Sequence, residues 1–171
     1  MPRPTEVDYP EYFENYIIKV PGENLMDAFA IQFPVISDFF SEISEEESMH
    51  SYAPGKWTIK EVIQHIIDAE RIFAYRAVSI ARKESASLPS FEENDYTANS
   101  EANRRTWDSL CNEFLHARRS TQDLFQSFTE SMLNQKGIAN NKEITVLSIG
   151  FITVGHLYHH ISVLKERYLK R

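Results

Sequence analysis

Six histidines occur in the 171-residue chain, and three of them crowd into Gly155-His156-Leu157-Tyr158-His159-His160. Residues four apart on a helix stand one above the other on one face. His156 and His160 make such a pair. They share their face with Ile149, Ile152, Val163 and Leu164, an apolar stripe that belongs in a core. His159 is turned about 100° from His160, to the flank of that stripe. Two imidazoles on a buried stripe must bond to something. A divalent cation can hold both, and imidazole suits Zn²⁺, Ni²⁺, Cu²⁺ and Fe²⁺. Other buried polar partners would serve as well. A third metal ligand has to come from another helix. His65 stands beside Val62, Ile66 and Ala69, and Asp68 is the alternative, as a carboxylate ligand or as an acceptor for a ligating imidazole. The motif is not that of a zincin, because Leu157 stands where H-E-x-x-H has its Glu.

The remaining reactive side chains are weighed against plainer roles. His50 and His116 are isolated and read as structural. Cys111 sits within an amphipathic helical pattern and reads as a small packing residue. The run Glu45-Glu46-Glu47 reads as solvated. Asp68, Glu70, Arg71 and Arg76 read equally as pocket groups or as a surface salt-bridge ladder. Glu92, Glu93 and Tyr96 lie in a stretch too long for a simple turn. Long ordered connections often border binding sites, so residues 84–99 are expected beside the metal pocket.

Four helices would position these groups. The first, residues 24–43, carries Leu25, Phe29, Phe33, Ile36 and Phe40 at spacings of three and four. Pro34 should kink it or end it near Phe33. The second starts at a capping box, Thr58 with Glu61, preceded by Trp57, which can staple to Val62. Its stripe runs Val62, Ile66, Ala69, Phe73, Ala77 and Ile80, and it ends near Arg82 or Lys83. Ser100 can cap the third, whose stripe runs from Trp107 to Phe128. Residues 134–141 read as a polar connection. The fourth runs from about Thr145 to Leu169. Gly150 and Gly155 lie inside it, each at a cost of roughly 1 kcal/mol relative to Ala, so a packing or site reason is expected for them. No strand alternation is long enough to build a sheet. The fold class is all-α, a four-helix bundle with a long crossover between the second and third helices. Residues 1–22 hold Pro2, Pro4, Pro10 and Pro21 and read as an irregular arm packed on the bundle through Tyr12, Phe13, Ile17, Ile18 and Val20. The whole chain, 1–171, reads as one domain.

Composition bounds the function. Lys plus Arg total 18 against 25 for Asp plus Glu, a net charge of −7. Phosphate contacts need clustered cations, so no nucleic-acid partner is expected. The 42% hydrophobic and 12% aromatic content excludes a disordered chain and suffices for one core. A lone Cys excludes a disulfide scaffold. The first residues lack the apolar run of a signal peptide, and no 18-residue apolar stretch suggests a membrane span. A cytoplasmic protein with no membrane partner is the expectation.

Two segments together resemble a known family. They are Trp57-Thr58-Ile59-Lys60-Glu61-Val62-Ile63-Gln64-His65-Ile66-Ile67-Asp68-Ala69-Glu70-Arg71 and Gly155-His156-Leu157-Tyr158-His159-His160. They look like the DinB-like superfamily of metalloenzymes, and the resemblance runs from Tyr12 to Leu169. It implies the four-helix bundle, a homodimer, and a divalent metal, Ni²⁺ or Zn²⁺, on three histidines: His65, His156 and His160. Some members resemble transferases that join a low-molecular-weight thiol, such as bacillithiol, mycothiol or glutathione, to an electrophile. The resemblance therefore implies a small-molecule substrate and a thiol cosubstrate. A metal-dependent hydrolase and a bundle with a merely structural metal are the alternatives. Relatives often carry an acid directly after the first His of the last helix, and Leu157 departs from that pattern.

Overall fold

Each long helix begins at a side chain that accepts hydrogen bonds from its free N–H groups. Asn24 Oδ1 accepts from Met26 N at 2.8 Å at the start of α2 (Leu25–Ser41). Thr58 and Glu61 form the full capping box of α3 (Ile59–Ala81), with Thr58 N donating to Glu61 Oε2 at 2.7 Å and Glu61 N to Thr58 Oγ1 at 3.1 Å. Thr106 caps α5 (Trp107–Gln126), and Thr145 caps α7 (Val146–Val163). Each such cap contributes about 1 kcal/mol. These four helices form the bundle. The computed structural model describes residues 3–169, so Met1 and Pro2 of the expected arm lie outside the described residues.

Three helix boundaries differ from the sequence expectation. Pro34 neither ends nor truncates α2, which continues to Ser41. Apolar side chains on both sides of it, Phe29 before and Ile36, Phe39 and Phe40 after, are buried, and that packing outweighs the roughly 3 kcal/mol a mid-helix proline costs. Ser100 does not cap the third long helix. It ends a short helix, α4 (Glu93–Asn99), inside the crossover. Glu101 then adopts a left-handed conformation at φ 51° and Arg105 is extended, so the chain cannot run helically from Ser100 to Thr106. The last helix ends in a π-helical turn over Leu164–Tyr168, which lets Tyr168 Oη donate to the Trp57 carbonyl at 3.0 Å.

A small sheet is also present. After α6 (Glu130–Leu133), β1 (Lys136–Ala139) pairs antiparallel with β2 (Lys142–Thr145), with Gly137 opposite Ile144. Asn140 and Asn141 make the two-residue turn at φ 50° and 58°. Left-handed values at both positions match the twist of a hairpin, and Asn tolerates them. Four alternating residues per strand were too few to stand out as a strand pattern. The hairpin holds the crossover: Leu88 N donates to the Ile138 carbonyl and Asn140 N to the Leu88 carbonyl, both at 2.9 Å.

The N-terminal arm is not irregular throughout. It carries a short helix, α1 (Glu14–Ile17). Tyr9, Ile17 and Val20 are buried, whereas Tyr12 and Ile18 face solvent. Ile17 and Ile18 are neighbours on a helical turn, so only one can face inward. The arm crosses α7 at Gly155, where an added Cβ would stand 2.0 Å from the Tyr16 carbonyl oxygen. Gly150 has its own reason, since a Cβ there would meet Leu25 at 2.5 Å and Phe125 at 2.9 Å. Val146–Tyr168 is long and apolar enough to cross a membrane, contrary to the sequence expectation, but 72% of its apolar 18-residue window is buried inside the fold. Its apolar circumference is used against the other helices.

Candidate metal centre

The apolar core is in two parts. One contains Phe29, Phe73, Phe125 and Phe151 with the arm, and the other Phe39, Ile63, Phe114, Leu157 and Leu164. Between them lies a buried polar layer that takes one residue from each long helix. Arg118 on α5 is its centre and has no exposed surface. Its Nη2 donates to Glu70 Oε2 on α3 at 2.6 Å and to the Thr153 carbonyl on α7 at 3.2 Å. Its Nη1 donates to Gln32 Oε1 on α2, whose Nε2 donates onward to the Val154 carbonyl at 2.8 Å. The rings of Phe29 and Phe114 lie 5.6 and 5.2 Å from the guanidinium carbon. This layer fixes α7 just before His156.

Next to that layer His65 of α3 meets His156 and His160 of α7. His156 Nε2 stands 3.2 Å from His65 Nε2 and 3.0 Å from His160 Nε2. An imidazole nitrogen carries either one proton or one lone pair. His156 Nε2 therefore cannot make two good hydrogen bonds to these two partners. Three ring nitrogens on one cation at 2.0–2.1 Å, spread at tetrahedral angles, would stand about 3.3 Å apart, so the donor set fits a divalent metal. No Asp or Glu oxygen joins these nitrogens among the described residues. The site is walled by aromatic rings, with Trp57 5.1 Å from His65 and Tyr16 and Phe73 5.4 and 5.7 Å from His156.

All three rings are kept neutral. Burial pushes His65 down to about 4, and burial with the neighbouring imidazoles pushes His156 and His160 well below the usual value. Between the unfolded value near 6.5 and these lowered values, the unfolded chain binds more protons than the fold. Stability is therefore complete above pH 6.5 and is lost as pH falls through that window. At pH 5 His65 alone should cost about 2 kcal/mol. Urea unfolding of chelator-treated protein at pH 7.5 and pH 5 checks this, and an unchanged midpoint would contradict it.

A cavity of about 270 Å³ opens on His65 and His156. Its lining includes Tyr16, His65, Phe73, Arg76, Phe91 and His156, and the crossover supplies Glu92 and Glu93 at its edge. Tyr96 is not in the lining; it is exposed and stacks beside Phe91 at 5.2 Å. Asp68 is also elsewhere, accepting from Gln64 Nε2 at 2.9 Å and facing Arg71 at 3.8 Å. Glu70 is the buried partner of Arg118 and does not line this cavity. His159 stands outside the trio, with the Tyr16 ring edge-on to it at 5.2 Å. His50 and His116 are exposed and do not join the cluster. Leu157 is fully buried in the second core cluster, so an acid at that position would face apolar side chains rather than the cavity. Sequence reasoning missed Arg118, Gln32 and Thr153. The signal was available: Arg118 stands four after Phe114, Gln32 three after Phe29, and Thr153 four after Ile149, each on the core period of its helix.

The sequence profile of the DinB superfamily matches residues 31–164, which contain all three histidines. The chain belongs to the DinB superfamily. A protein of Oceanobacillus iheyensis, named as a candidate metal-dependent hydrolase, is 24% identical over 132 residues, covering 76% of this chain and 75% of its own. Among solved structures, YfiT from Bacillus subtilis superposes with a TM-score of 0.72 at 16% identity, over 96% of this chain and 90% of its own. YfiT is described as a candidate metal-dependent hydrolase with an unusual four-helix bundle topology. The mycothiol-dependent maleylpyruvate isomerase superposes at a TM-score of 0.67 and 15% identity, over 95% of this chain. This chain spans 63% of the isomerase, and at 15% identity the fold is what the two share.

Proposed function

We propose that this DinB-superfamily protein is a metal-dependent enzyme that joins a low-molecular-weight thiol to a small electrophilic substrate. His65, His156 and His160 hold the cation, Ni²⁺ or Zn²⁺. The observation that carries this reading is a cluster of three neutral, converging imidazoles with no carboxylate among them. A divalent cation there supplies undiminished positive charge, which lowers the pKa of a thiol in the pocket. Three protein ligands suit an open site, whereas structural zinc sites are closed by four, usually with Cys.

The chain's own residues do the rest. The rings of Tyr16, Trp57 and Phe73 keep water from the reacting sulfur. The sulfur lone pair forms the new S–C bond, the leaving group departs with the electrons of the bond that breaks, and the thiol proton passes to solvent. Attack by water gains from a neighbouring carboxylate base; among the described residues no carboxylate oxygen joins the three nitrogens, and Glu92 and Glu93 line the cavity without joining the cluster. Cys111 is no substitute nucleophile, because burial pushes its thiol up to about 12. The thiol use of the structurally similar isomerase supports this reading, and the hydrolase names of the other relatives mark the alternative.

Protein loaded with Ni²⁺ or Zn²⁺ should conjugate a small thiol to monochlorobimane faster than the uncatalysed reaction. His160→Ala should lose the rate, and Cys111→Ala should keep it. Metal-dependent hydrolysis of an ester or amide with no thiol conjugation would replace this reading by the hydrolase one.

A further inference from the structure

Arg76 of α3 lines the same cavity as His65 and His156. It is more than nine-tenths buried. Its Nη2 donates to the Pro89 carbonyl of the crossover at 2.7 Å, while its buried Nε has no hydrogen-bond partner. No carboxylate among the described residues forms an ion pair with it. Glu92 and Glu93 also line the cavity, but neither forms an ion pair with Arg76, and Glu92 Oε1 accepts from Asn94 at the start of α4. A guanidinium does not shed its proton in a protein. Burying that charge without a partner costs several kcal/mol, so its position is explained if a ligand supplies the partner.

We infer that Arg76 anchors a carboxylate of the small molecule whose reacting end lies at His65, His156 and His160. The inference rests on the reading of the triad as the reactive centre. His65, Ala69, Phe73 and Arg76 recur at spacings of four, four and three, so they run along one face of α3. His65 and Arg76 are separated by about 16 Å of helix axis. The arginine side chain reaches back toward the helix N-terminus, which leaves a span for an extended molecule rather than a compact one. A monoanion is the matching charge. Among the described residues one guanidinium faces the cavity, and Glu92 and Glu93 in its lining oppose a dianion such as a phosphate monoester. The planar fork also suits a carboxylate. Phe73 and Phe91 between the two ends suit an apolar middle section.

The test uses the full chain loaded with Zn²⁺ and three probes: 6-mercaptohexanoate, its methyl ester, and hexanoate, which lacks the thiol. NMR titration gives the dissociation constants. Wild type should bind 6-mercaptohexanoate at least tenfold more tightly than the ester. Arg76→Leu and Arg76→Gln should bind acid and ester equally, and Arg76→Lys should keep part of the preference. The Gln variant retains a donor for the Pro89 carbonyl, so loss of the preference there is loss of charge, not of the crossover. Equal binding of acid and ester by wild type would overturn the inference, as would an acid preference that survives in Arg76→Gln. The hexanoate arm separates the two readings. If hexanoate binds with the same Arg76 dependence and the thiol adds nothing, the anchor stands and the thiol reading falls. If the thiol strengthens binding in a His160-dependent way while acid and ester bind alike, the thiol reading stands and the anchor falls.

Discussion

Arg118→Ala is expected to destabilise the protein by about 3–5 kcal/mol, the cost of removing one partner of a buried ion pair. In a chain of this size that should lower the melting temperature by roughly 10 °C. The loss has a definite origin. Glu70 would be left as a buried carboxylate, and its Oε1 has no hydrogen-bond partner even in the intact protein. Gln32 and the Thr153 carbonyl would lose their donors at the same time. Removing both charges, as in Arg118→Met with Glu70→Leu, should recover most of the stability, because apolar replacement of a buried pair is often neutral or better. Thermal melts of the two single variants and the double variant check this. Additive losses in the double variant would show that charge burial is not the cause. Because the layer fixes α7 just before His156, the single variants should also weaken metal binding.

His156→Ala should lower affinity for Zn²⁺ or Ni²⁺ at least a hundredfold, whereas His159→Ala should change it by no more than about threefold. His156 is the middle member of the cluster, with its Nε2 near that of both His65 and His160. Without it the two outer rings lose the donor that joins them. Removing a ligand should exceed the 10–100-fold cost of removing a group that only orients one. His159 shares the sequence run but not the cluster. Competition with a chromophoric chelator measures both variants in one assay. Equal losses would refute the assignment of ligands.

The convergence of the three histidines could be read from sequence because helical spacing has few solutions. A pair at i and i+4 on an apolar stripe faces inward, and one further His on another inward stripe can meet it. The polar layer was harder to read. Arg118, Gln32, Glu70 and Thr153 each look, within their own helix, like interruptions of a stripe or solvated groups. Their meaning lies in their being level with one another across four helices, and no single-helix pattern encodes that level. Asp68 and Glu70 illustrate the limit: two carboxylates two residues apart, one facing Gln64 and Arg71, the other paired with Arg118 in the core. The α4 segment and the hairpin were obscured by length. Seven helical residues and two four-residue strands carry too short a period to recognise. Gly155, by contrast, pointed to a packing or site reason, and the reason is the carbonyl of Tyr16 from the arm.

The central claim is that His65, His156 and His160 hold one divalent cation. Anomalous diffraction from crystals of untagged protein grown with Zn²⁺, recorded on both sides of the zinc absorption edge, tests it most directly. The account predicts one strong peak per chain, about 2.0–2.1 Å from the Nε2 atoms of all three residues. A peak bound instead through Asp68 or His159, or no peak at the triad while zinc occupies other sites, would contradict it.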